Sequence, residues 1–167
     1  DAGHDDEEVE PDAEEDRDEA LRRLLSGLVA GDDVFELAAS VADLHQKYNT
    51  FPGEVFMDLA ADALEIAGAT RNDPISYEGL LETYLPECEF WGRNNRKIQY
   101  AILTSASVRG GVEPDLLDEA GWWRADDYWQ YALFAAVALI RVGAERQSLT
   151  IARVVEQLAD RTGVTLA

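Results

Sequence analysis

Tyr128-Trp129-Gln130-Tyr131-Ala132-Leu133-Phe134-Ala135-Ala136-Val137-Ala138-Leu139-Ile140 is the longest apolar run in the chain, broken only by Gln130 and ended by Arg141. A helix of this composition is apolar on nearly every side, so other elements must surround it. It falls short of the roughly 20 apolar residues that cross a bilayer. The reading is a central buried helix at about 127–143, and the rest of the sequence is consistent with a shell of helices around it.

Upstream, Leu21, Leu24, Leu25, Leu28 and Val29 make a first helix stopped by Gly31. Asp33-Val34-Phe35-Glu36 reads as a capping box with aspartate as the cap, and Val34, Leu37, Val41, Leu44 and Tyr48 then recur at the three-four spacing of one helix face. A turn at Asn49–Gly53 leads to a third helix with Phe56, Leu59, Ala60, Ala63 and Ala67 inward and Gly68 as its stop. Asp73-Pro74 opens a fourth that runs to Pro86, with Tyr77, Leu80, Leu81 and Tyr84 on its face. A fifth spans about 93–109 before Gly110-Gly111, and a short sixth lies between Glu113-Pro114 and Gly121. Asp127 with Gln130 is expected to cap the central helix, and Ser148 the last, whose Ile151, Val154, Val155 and Leu158 face inward before Gly163. No stretch alternates long enough for a strand. The expected class is all-α, an irregular bundle of about seven or eight helices.

The 167 residues suit one domain with a sizeable core. Of the net charge of −20, most comes from residues 1–19, where twelve acids face the single base Arg17. Dense like charge with few apolar residues cannot offset the entropy of ordering, so residues 1–16 are expected to be a disordered acidic leader and 17–167 a single helical domain. The leader lacks the positive start and apolar centre of a signal peptide, and an opening at Asp1 rather than methionine suggests processing, a trimmed tag or a fragment. A lone cysteine, Cys88, rules out an internal disulfide and fits a reducing cytoplasm. Strong negative charge disfavours direct nucleic-acid binding and anionic membranes, since phosphates demand a positive surface.

Two features stand out as candidate binding elements. Gly121-Trp122-Trp123-Arg124-Ala125-Asp126-Asp127-Tyr128-Trp129 puts three of the four tryptophans on the approach to the central helix. Tryptophan and arginine together are the residue types that anchor interfaces. From Phe90 to Val112 there are four bases and no acid, a positive island in a negative chain. Three of those bases sit at a helix start, where the macrodipole disfavours cations, so internal acids or an external anion should compensate. The candidate binding residues are therefore Trp91, Arg93, Arg96, Lys97, Arg109, Trp122, Trp123, Arg124 and Trp129. At least one of Trp122 and Trp123 is expected to be exposed.

Other patterns favour plainer readings. Glu54, Asp58, Asp62 and Glu65 share one helix face, but the Glu-x-x-His partner of a two-metal carboxylate site is missing, so a solvated stripe is the better reading. Cys88 lies between Glu87 and Glu89, whose charge disfavours the thiolate. Gly110-Gly111 fits no phosphate-binding loop, and His45 reads as a packing or rim residue.

Val155–Val164 resembles the first helix and turn of the helix-turn-helix DNA-binding motif. That resemblance implies a groove-reading helix where the sequence ends at Ala167, and with the negative charge it weighs against DNA recognition. No catalytic residue, metal or cofactor is called for. The expectation is a small soluble, cytoplasmic interaction or regulatory module that binds a protein partner or forms a homodimer. Two rivals are an anionic-ligand protein or enzyme with an Arg/Trp-lined pocket, and a nucleic-acid mimic acting through the leader.

Overall fold

The computed structural model describes residues 2–47, 53–68, 83–86 and 128–166, with side-chain surroundings from Glu15 onward. Among these residues are five helices and no strand: α1 (Ala2–Ala30), α2 (Val34–Lys47), α3 (Gly53–Ile66), α4 (Tyr128–Arg146) and α5 (Ile151–Thr162). The class is all-α, as the periodicity predicts. The expected count of seven or eight helices is not borne out: five are described, while those expected at about 93–109 and 114–121, and all but residues 83–86 of the one expected from Asp73-Pro74 to Pro86, lie outside the described residues. The acidic segment, expected as a disordered leader, forms the first half of α1 along its backbone.

The fold is organised around α4. Every residue from Tyr131 to Ile140 is buried, and the nine from Ala132 to Ile140 have no exposed surface at all. A run without a polar face therefore sits where water is absent, which is the only place it is stable. α3 packs most extensively against it. Ala60, Ala63 and Ala67 bring the two backbones together, and Gly143 meets Ala67 so closely that a Cβ there would lie 3.6 Å from the Ala67 nitrogen. Phe56, Leu59 and Ile66 complete the buried side of α3. Phe134 makes edge-to-face contacts with Tyr131 at 6.3 Å and with Phe35 of α2 at 6.1 Å.

The remaining helices follow their apolar stripes. Ala20, Leu21, Leu24, Leu25 and Leu28 of α1, Val34, Leu37, Val41 and Leu44 of α2, and Val154, Val155 and Leu158 of α5 all enter the core. Val29 of α1 is exposed, one position beyond the buried Leu28. At Gly27 the α1–α2 approach is tight: a Cβ would stand 2.5 Å from Leu37 Cδ2.

The capping box forms, with the Glu36 amide donating to Asp33 Oδ1 at 2.8 Å. That bond holds the Asp33 carboxyl below its ordinary pKa, while the Asp33 carboxylate beside it pushes Glu36 up. Ser148 does not cap the last helix. It closes α4 instead, in the left-handed region at φ 54°, with its amide donating to the Glu145 carbonyl and the Leu149 amide to the Ala144 carbonyl at 2.8 Å. Two residues on, Thr150 adopts extended backbone and accepts from the Arg153 amide at 3.1 Å, so Thr150 is the cap of α5. Gly163 at φ 77° ends α5 as the sequence predicts.

Polar side chains tie the helices at their rims. Arg23 of α1 donates to Glu19 at 2.9 Å, to Asp43 of α2 at 2.8 Å and to the Ser40 carbonyl at 3.0 Å. Hydrogen bonding from Arg23, reinforced by Arg22, holds Glu19 below the usual carboxylate range. Tyr84 docks on the far half of α4, its hydroxyl donating to Glu145 at 2.6 Å and its carbonyl accepting from Arg141 at 2.6 Å, with Leu85 buried beside it.

Candidate functional site

The structure brings together a set of residues that the sequence does not flag. Where α1, α3 and α5 meet, a cleft of about 320 Å³ is lined by Arg17, Leu21, Val55, Asp58, Leu59, Asp62, Arg161 and Thr162. Leu21, Val55 and Leu59 lie beneath it as buried members of the core and expose almost nothing, so its accessible wall is mostly polar. Its rim is charged. Asp58 and Asp62 stand one turn apart on α3, so their side chains share a face of that helix. Arg17 comes from α1 and Arg161 from the last turn of α5.

Local structure fixes these positions. Leu59 and Phe56 anchor α3 on the core, which turns the Asp58–Asp62 face outward to the cleft. The buried Val154, Val155 and Leu158 set the rotation of α5, and Arg161 then reaches across to α3, donating to Glu65 Oε2 at 2.6 Å. Arg17 Nη1 lies 3.6 Å from Asp18 Oδ1 on its own helix. The Thr162 hydroxyl donates back to the Leu158 carbonyl at 2.9 Å, closing the last turn. The arrangement is a polar recess in which two guanidiniums and two carboxylates from three helices come together.

Most of the sequence candidates are elsewhere. Trp91, Arg93, Arg96, Lys97, Arg109, Trp122, Trp123 and Arg124 lie outside the described residues. Trp129 is described, and at 4% exposure it is part of the core around α4 rather than a contact residue. The carboxylate stripe on α3 corrects the solvated reading in part: Asp58 and Glu65 are exposed and Asp62 half-buried, but Glu65 is paired to Arg161 and the two aspartates line the cleft. Among the described residues no group of three or more His, Cys, Asp or Glu is placed to hold a metal ion, and no helix is long and apolar enough to cross a membrane. The stripe was the signal available in the sequence. Its spacing marked a face, and nothing marked Arg17 or Arg161 as its neighbours.

The chain matches no protein-family model, no curated protein and no solved structure.

Proposed function

We propose that this protein is a non-catalytic helical interaction module that binds a partner protein in the cytoplasm. The observation that supports it most is the cleft between α1, α3 and α5, a surface recess lined by the mixed charges of Arg17, Asp58, Asp62 and Arg161, which offers directional polar contacts to a partner. α3 and α5 pack on α4, and α1 packs on α5 and α3, so the surface is preorganised for binding. The Arg23–Asp43 pair, beside Arg23–Glu19 within α1, ties α1 to α2, and the Arg161–Glu65 pair ties α5 to α3. The aromatic and basic stretch between Trp91 and Trp129 belongs to the same proposal as a second contact region, with a homodimer as its simplest form. Strong negative charge steers the module toward positively charged protein and away from nucleic acid.

The test is co-purification of the tagged full chain, with and without residues 1–19, from the cell that makes it, together with light scattering across a dilution series. A stoichiometric partner, or a dimer that dissociates on dilution, supports the reading. A monomer with no retained partner that turns over a small molecule would replace it with an enzyme.

A further inference from the structure

Among the described residues, left-handed backbone follows four helices, and three of those positions are glycine: Gly31, Gly68 and Gly163, at φ between 72° and 88°. The fourth is Ser148, between α4 and α5, at φ 54°. A Cβ in this region crowds the following carbonyl oxygen, a penalty that glycine escapes. The hydrogen bonds of the turn, from the Ser148 amide to the Glu145 carbonyl and from the Leu149 amide to the Ala144 carbonyl, are of a kind that a continuous helix would replace. Gln147-Ser148-Leu149-Thr150 holds neither glycine nor proline, so helical backbone is open to every residue of the connection. The connection therefore has two backbone states, a closed turn and a helix that runs from α4 into α5, and the side chain at position 148 favours the second.

Packing of α5 holds the closed state. Val154, Val155 and Leu158 have no exposed surface, Arg161 donates to Glu65 of α3 at 2.6 Å, and Arg22 of α1 donates to the Thr165 carbonyl at 3.1 Å. The partners of α5 lie on α1, α3 and α4, and a second copy of the chain offers the same set. Exchange of α5 between two copies keeps these contacts and changes the hinge, which is why short connections under strain lead to exchanged dimers.

We propose that α5 exchanges between two copies of this chain, with Ser148 as the hinge. In the exchanged dimer each recess between α1, α3 and α5 takes Arg161 and Thr162 from one chain and Arg17, Asp58 and Asp62 from the other, so the recess is a composite of two chains. Opening requires Val154, Val155 and Leu158 to leave the core, so interconversion is slow and the two forms are separable once made. The proposal goes beyond the interaction-module reading and does not depend on it.

The test holds the full chain at high concentration a few degrees below its thermal midpoint, cools it, and separates the products by size-exclusion chromatography with light scattering. A dimer that persists on dilution in the cold is expected beside the monomer. The chain with Glu65→Cys, Arg161→Cys and Cys88→Ser is treated in the same way, and each fraction is then reacted with a short bis-maleimide. The monomer should link within one chain, and the dimer between chains, giving a covalent dimer on a denaturing gel. Ser148→Gly removes the backbone penalty at both hinges of a dimer, so it should weaken dimerisation by roughly tenfold or more while the circular dichroism of the monomer is unchanged.

A chain that stays monomeric at every concentration would overturn the proposal. So would a dimer whose introduced cysteines link within each chain, which would put the contact elsewhere, the aromatic stretch between Trp91 and Trp129 included, or a Ser148→Gly chain that dimerises as well as the original. If the cysteine chain does not fold, the Ser148→Gly comparison decides alone. Failure here is separable from failure of the wider reading: a partner protein retained by a monomer that never exchanges α5 leaves the module standing and removes this dimer.

Discussion

Gly27 and Gly143 both stand inside helices, where glycine costs roughly 0.5–1 kcal/mol relative to alanine, yet their surroundings give opposite expectations. At Gly143 an added methyl would touch Ala67 at ordinary contact distance, 3.6–3.7 Å, so Gly143→Ala is expected to stabilise the fold by about 0.5–1 kcal/mol. At Gly27 the same methyl would lie 2.5 Å from a side-chain carbon of Leu37, which is fully buried and has no room to retreat. Gly27→Ala should therefore destabilise, by about 1–3 kcal/mol. Urea unfolding of the two variants checks both signs, and equal effects would show that backbone propensity alone governs these sites. Ser148 shows the limit of reading single residues. Serine is a good helix cap, so the sequence offers it for α5, but the chain needs Ser148 to turn the end of α4 and leaves the cap to Thr150. Two hydroxyl residues on either side of Leu149, Ser148 and Thr150, carry no signal of which takes which task.

At the scale of elements, the three-four spacing was legible because burial follows it closely. Leu21, Leu24, Leu25 and Leu28, then Val34, Leu37, Val41 and Leu44, then Phe56, Leu59, Ala60 and Ala63 are all buried, and each is on the face that its periodicity marks. Central burial of α4 was equally legible, from a composition with no polar side. Ala136 is fully enclosed, so Ala136→Asp places a carboxylate where no water reaches, a cost of several kcal/mol against a total stability of roughly 5–15. The variant is expected to be unfolded by circular dichroism at 25 °C, and cooperative melting of soluble variant protein would contradict the described packing. The junction of α1 and α2 adds a pH dependence. Glu19 is held below its ordinary pKa, chiefly by Arg23, so its contribution is present above the ordinary carboxylate range and is lost as pH falls through the depressed value. Because the pair is partly exposed, the effect is bounded at about 1 kcal/mol. Glu19→Gln should flatten that part of the acid limb of the stability curve and leave the alkaline limb unchanged.

Across the whole molecule, the cleft was not legible because its walls come from positions 17, 58 and 161, and no local pattern links residues so far apart in sequence. Only the α3 stripe hinted at it. Net charge was legible and makes its own prediction: with −20 on 167 residues, self-repulsion opposes the compact state, and added salt screens it. The melting temperature should rise between low salt and about 1 M sodium chloride, and the rise should shrink when residues 1–14 are deleted. Deletion itself should move the midpoint by no more than a few degrees, since Pro11 removes a backbone donor within α1 and the inward stripe begins only at Ala20. A melt that collapses on deletion would show that the acidic segment is part of the domain. The position of α4 in the chain bears on how the protein is made. α1, α2 and α3 leave the ribosome first, and α3 presents Phe56, Leu59 and Ala63 without the helix it packs against most, because that helix begins only at Tyr128. For the interval in which those residues are being added, the nascent chain is a client for chaperones, and a translation product stopped before Tyr128 is expected to be degraded or to aggregate instead of persisting as a smaller folded unit.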